Sequence, residues 1–147
     1  MDNTDIIING HEATWKMPLT HGELGGTYTG TFVFRCYLDP LSQLQAGRQY
    51  REYLGTHGMV ATDTEINLAY ALSQLSQRIL KAPPFWTSTA QEGGIQGNIG
   101  DLNVIFLVLQ AADKAEELFK EKIQKERDAL LDRSIKVGED LLRKKDE

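Results

Sequence analysis

The chain has 147 residues, of which 41% are hydrophobic and 25% charged, and it carries a formal net charge of -5 with a pI near 5.2. That is enough chain for one domain with its own core, and the balance excludes a disordered chain, a fibrous repeat and a partnership with nucleic acid driven by clustered Lys and Arg. A single cysteine excludes an internal disulfide, and no apolar run reaches the roughly 20 residues of a membrane span.

The start, Met1-Asp2-Asn3-Thr4-Asp5, is acidic and is followed by only three isoleucines, so no signal peptide is expected and a cytoplasmic protein is. Residues 6–17 read as a first strand or hairpin, with Asn9-Gly10 as the pair that tolerates positive φ in a tight turn. Residues 18–26 read as turn material. Residues 27–38 are rich in β-branched and aromatic side chains, and Tyr28, Phe32, Phe34, Cys36 and Leu38 share one parity, which predicts a strand with one buried face. Cys36 lies inside that apolar run without metal-ligand spacing and is expected to be a buried strand residue.

Asp39-Pro40 places an acidic cap before a proline at the first helical position, where the missing amide costs nothing. The helix it opens should run through Leu41, Leu44 and Tyr50 to Leu54 and stop at Gly55. Thr62 and Glu65 form a capping box for a second helix, whose stripe is Ile66, Ala69, Leu72, Leu75, Ile79 and Leu80, with Pro83 and Pro84 ending it. Residues 85–100, with Gly93, Gly94, Gly97 and Gly100, predict a loop. Asp101 can cap a last helix, apolar on nearly every side from Leu102 to Leu109 and therefore buried there. Between Asp113 and Glu147 stand ten basic and eleven acidic residues around a stripe that includes Leu118, Phe119, Ile123, Leu130, Leu131, Ile135, Val137, Leu141 and Leu142. This predicts a long amphipathic helix that absorbs Gly138 at about 1 kcal/mol. The expected organisation is a compact unit over residues 1–112 and a charged amphipathic helix over 113–147 continuous with it. The expected fold class is α+β: a short N-terminal antiparallel β segment, then a mainly helical domain with a long C-terminal helix.

Chemistry finds little support in the sequence. His11, His21 and His57 lack the spacing that sets two ligands on one helix face, so no metal is expected, and no G-x-S-x-G elbow activates a serine. The glycine cluster matches neither the Walker nor the dinucleotide pattern, and Asp101 would set a negative charge where a phosphate must sit, so no cofactor is expected. Asp39, Glu52, Asp63 and Glu65 could pair for acid–base work, but helix capping accounts for two of them. No catalytic residue is assigned and no enzyme is expected. Phe85 and Trp86, pinned after two prolines, either fill the core or anchor an interface, and Trp15 faces the same two options. The C-terminal helix carries the main interaction signal: it either projects and needs a partner for its stripe or folds back onto the body. The candidate protein-binding residues are Trp15, Phe85, Trp86, Phe119, Ile123, Leu130 and Leu141.

Segment 34–55 (FRCYLDPLSQLQAGRQYREYLG) and segment 68–86 (LAYALSQLSQRILKAPPFW) resemble small proteins encoded among the structural genes of tailed bacteriophages, especially tail assembly chaperone-like proteins. Residues 100–119 match in outline, with Asp101, Asn103 and Ala115-Glu116-Glu117 as the clearest points. The resemblance implies a morphogenesis protein of the host cytoplasm, possible also in the virion, that binds other phage proteins such as the tape-measure protein or tail and capsid subunits, with a homo-oligomer open and no nucleic acid or membrane partner. The alternative it leaves is a minor structural protein of the capsid, head-tail junction or tail. The β segment and the charged C-terminal helix match no part of the chaperone pattern and leave room for that second role, because strand addition and extended helices lock neighbouring subunits together.

Overall fold

The computed structural model describes residues 5–23, 25–55, 61–87 and 101–146. The chain is an α+β protein in which helices cover one face of an antiparallel sheet. Strands β1 (Ile6–Asn9), β2 (Glu12–His21) and β3 (Thr27–Arg35) form a meander. Asn9 pairs with Glu12, so the hairpin loop is Gly10-His11 and Gly10 takes the positive φ of 63°. Alternation then sorts the side chains: Ala13, Trp15, Met17, Phe32 and Phe34 are buried on the inner face, while Lys16, Thr31 and Arg35 stand in solvent on the outer one.

Strand β2 continues through residues 18–21, where the composition predicted a turn. Its register with β3 shifts between Met17 and Thr20, and Pro18, which has no amide to donate, sits in that irregularity. The Thr29 hydroxyl donates to the Met17 carbonyl at 3.0 Å across the same stretch. Strand β3 ends at Arg35, yet its parity persists, so Cys36 and Leu38 are buried as expected.

Helix α1 (Pro40–Leu54) opens as its signals predict: the Ser42 amide donates to Asp39 Oδ1 at 2.7 Å, Pro40 occupies the first turn, and Gly55 closes the end with φ 60°. Helix α2 (Asp63–Arg78) carries the capping box, with the Glu65 amide donating to Thr62 Oγ1 at 3.2 Å. It stops at Arg78, two residues short of its expected stripe. Ile79 and Leu80 belong to strand β4 (Ile79–Lys81), which pairs with β3 through Phe34↔Ile79 and Val33↔Lys81 and completes the order β1-β2-β3-β4. The free edge of β3 supplies backbone partners, and that outweighs local periodicity over three β-tolerant residues.

Pro83 lies on Gly30, whose added Cβ would stand 2.3 Å from the proline Cβ, so only glycine fits there. The one-turn α3 (Pro84–Thr87) then delivers Trp86 into the core, edge-on to Phe32 at 5.5 Å, and Phe85 beside it. The glycine cluster of 93–100, like His57, falls outside the described residues. Helix α4 (Leu102–Asp146) starts at Asp101, whose Oδ1 accepts from the Asn103 amide at 3.1 Å. Its first turns bury Val104, Ile105, Val108, Ala111, Ala112 and Ala115, the alanines letting the helix axis lie close to the sheet and α2. Arg78 fastens α2 to α4 through Asp113 at 2.7 Å and Glu116 at 3.4 Å.

Candidate protein-docking surface

Helix α4 leaves the body. Phe119 is its last aromatic contact, stacked on Tyr37 at 5.5 Å and tilted on His11 at 5.7 Å, and Ile123 is half-buried. Residues 124–143 are then exposed without exception, a rod of about 30 Å at 1.5 Å per residue. Leu130, Leu131, Ile135, Val137, Leu141 and Leu142 along it are 51–65% exposed. The helix persists there because it propagates from a nucleus already fixed in the core, with local support such as Gln124 Nε2 donating to Asp128 Oδ1 at 3.0 Å. Scattered exposed leucines are ordinary, but six large apolar side chains within thirteen residues form a contiguous apolar face in water, the signature of a contact surface. Of the two options for this helix, the distal half stands clear and the proximal half packs.

The candidate residues therefore separate by their place in the fold. Trp15 and Trp86 are buried at 0% and 2% exposure and fill the core. Phe85 is half-buried, edge-on to Tyr28 at 5.1 Å. Phe119 and Ile123 belong to the joint between helix and body. Leu130 and Leu141 are free, and the structure adds Leu131, Ile135, Val137 and Leu142 to them. Sequence periodicity finds all six, but it cannot say where along the helix burial ends.

Other exposed apolar groups lie on the body. Leu41 and Leu44 are 66% and 70% exposed, with Tyr37 at 41%, because α1 turns its small side, Ser42 and Ala46, inward. Polar bonds hold that side: Arg35 Nη1 donates to Ser42 Oγ at 3.3 Å, and Ser76 Oγ of the facing α2 donates to Gln49 Oε1 of α1. The edge strand β1 presents Ile7, 66% exposed. Between β1 and α4 runs an open groove of about 420 Å³ floored by Ile6, Ile8 and Leu118 and rimmed by Glu121, Lys122, Lys125 and Glu126.

The groups considered for chemistry have structural duties. Asp39 is held below the usual carboxylate range by the Ser42 amide and hydroxyl. Cys36 is buried, and desolvation, helped by Glu12, pushes its thiol up to about 11, the opposite of an activated nucleophile. His11 is engaged by Tyr37 and Phe119. Among the described residues no group of three His, Cys, Asp or Glu could hold a metal, and no helix is long and apolar enough to cross a membrane. No family model, curated protein or solved structure matches the chain.

Proposed function

We propose that the chain is a non-enzymatic morphogenesis protein of a tailed bacteriophage, acting through protein contacts in the host cytoplasm in the manner of a tail assembly chaperone. The observation that carries the docking part is the exposed apolar face of α4 over residues 130–142, which would be a solubility liability in a chain that acts alone. The phage part rests on the resemblance of segments 34–55 and 68–86 to tail assembly chaperone-like proteins. A helix with one apolar face and mixed charges behind it suits a coiled or elongated helical client, such as a tape-measure protein.

A second reading, a minor structural protein of the virion, is favoured by β1, which among the described residues pairs only with β2 and carries the exposed Ile7, a ready place for strand addition by a neighbouring subunit. Quantitative mass spectrometry of purified particles against infected-cell lysate tests both. The chaperone reading expects the chain in lysate and not in particles. A fixed ratio to capsid or tail subunits would overturn it in favour of the structural role, and a chain not produced with the structural proteins would overturn both.

A further inference from the structure

We propose that the exposed face of α4 docks against the same face of a second copy of this chain, the two helices antiparallel about a two-fold axis level with Lys136. The inference rests on reading the distal half of α4 as a docking element and names what covers that face in the chain without a client.

The order of residues 130–142 is LLDRSIKVGEDLL. Reversed, it reads LLDEGVKISRDLL. About Lys136, leucine matches leucine at 130/142 and 131/141, a β-branched aliphatic matches another at 135/137, and a small residue matches a small residue at 134/138. Aspartate matches aspartate at 132/140, and only Arg133 against Glu139 changes character, by inverting its charge. A stripe built for an unrelated partner has no reason to repeat itself backwards. An antiparallel homotypic pair is served by it, because each residue i comes level with residue 272 − i of the other copy, and like apolar residues at paired positions make the face self-complementary.

Helical geometry turns the sequence symmetry into a surface. At about 100° per residue, Ser134 and Gly138 run down the middle of the apolar face, with Leu130, Val137 and Leu141 on one side and Leu131, Ile135 and Leu142 on the other, all within about 80° of the midline. Lys136 points directly away, and Asp132 and Asp140 lie well off the face, so the axis brings no like charges together in the contact. Small residues along the midline let the identical midline of a second helix approach closely, with the apolar ridges meeting on either side, and nothing lies within 4 Å of a Cβ built on Gly138, so the trough is open in the single chain. The fit also holds along the axis. Asp146, at the end of the second copy's helix, comes level with Glu126 at the rim of the groove beside β1, so the second helix reaches that rim without passing the groove floor at Leu118.

Sedimentation equilibrium of the full chain should show a mass that rises with concentration from 16.5 kDa to twice that value. Gly138→Leu fills the trough. It should raise the dissociation constant by about tenfold or more while far-UV circular dichroism keeps the helix intact, whereas nonspecific apolar clustering would strengthen with the added leucine. Lys136→Glu, on the far side, should leave the constant within about twofold. Under mild oxidation, a mixture of Ser134→Cys and Gly138→Cys chains should cross-link faster than either alone, buried Cys36 staying out of reach. A chain that stays monomeric at high micromolar concentration, a Gly138→Leu variant that associates as well or better, or cross-links that form best within one variant would each overturn the pairing. A monomer that still keeps a tape-measure protein soluble would remove the pairing and leave the assembly reading standing. A dimer without any phage client would do the reverse.

Discussion

Replacing Trp86 by alanine and, separately, Leu141 by alanine contrasts a core role with a surface role for two residues that the sequence offers equally as contacts. Trp86 is 2% exposed and packs edge-on to Phe32 at 5.5 Å, inside the layer between the sheet and α4. Truncating a buried aromatic side chain to alanine costs about 3–5 kcal/mol, the spread reflecting how far the site collapses. At about 2–4 °C per kcal/mol for a domain of this size, Trp86→Ala should lower Tm by about 6–20 °C. Leu141 is 59% exposed, so Leu141→Ala should change unfolding free energy by no more than about 0.5 kcal/mol. Urea unfolding followed by circular dichroism, at concentrations low enough to exclude association, gives both numbers. A loss under about 1 kcal/mol for Trp86→Ala, or above that for Leu141→Ala, would refute the division of α4 and α3 into core and free surface.

Four further outcomes follow from particular contacts. Gly30→Ala should cost about 2–4 kcal/mol in chemical unfolding, because its Cβ meets Pro83 and its φ of 151° suits only glycine, whereas Gly10→Ala, in open space at φ 63°, should cost about 1 kcal/mol. Asp113→Ala should cost about 1–2 kcal/mol, read by the same unfolding curves, by leaving the buried Arg78 guanidinium with Glu116 alone. Asp39→Ala should lower Tm, and the sign with pH is fixed: the folded carboxyl titrates below its ordinary 3.8, so its contribution is complete above that value and fades as pH falls through the lower folded one. The gap between wild type and variant in a Tm-against-pH series should therefore be constant near neutrality and close in acid. Cys36, its thiol pushed up to about 11 by burial, should resist a disulfide reagent at pH 8 in the folded chain and react at once in denaturant.

What was legible in the sequence was local. The caps at Asp39-Pro40 and Thr62/Glu65, the stop at Gly55 and the parity from Tyr28 to Leu38 each depend on residues within a few positions of one another, and each stands in the structure as read. Strand β4 was not legible, since Ile79 and Leu80 fit the helical period of α2 and only the edge of β3, more than forty residues earlier, makes them a strand. The Arg78 clamp joins residues 35 and 38 apart and leaves no local trace. The inward side of α1 has no local trace either. Leu41 and Leu44 are its apolar residues near the start, yet they stand in solvent while Ser42 and Ala46 are buried, and α2 meets α1 through Ser76 and Gln49. The apolar stripe was visible as a stripe, and only the fold shows that burial stops near Ile123 and leaves the remainder exposed.

The central claim is that the protein works by docking through the distal half of α4. On the proposed phage role, its most direct test is to co-express a phage tape-measure protein with the wild-type chain or with a Leu130→Asp/Leu141→Asp chain, and to measure soluble, co-purifying tape-measure protein. The account predicts that the wild type keeps it soluble and bound and that the double variant, folded by circular dichroism, does not; equal rescue by the variant, or none by the wild type, would contradict it.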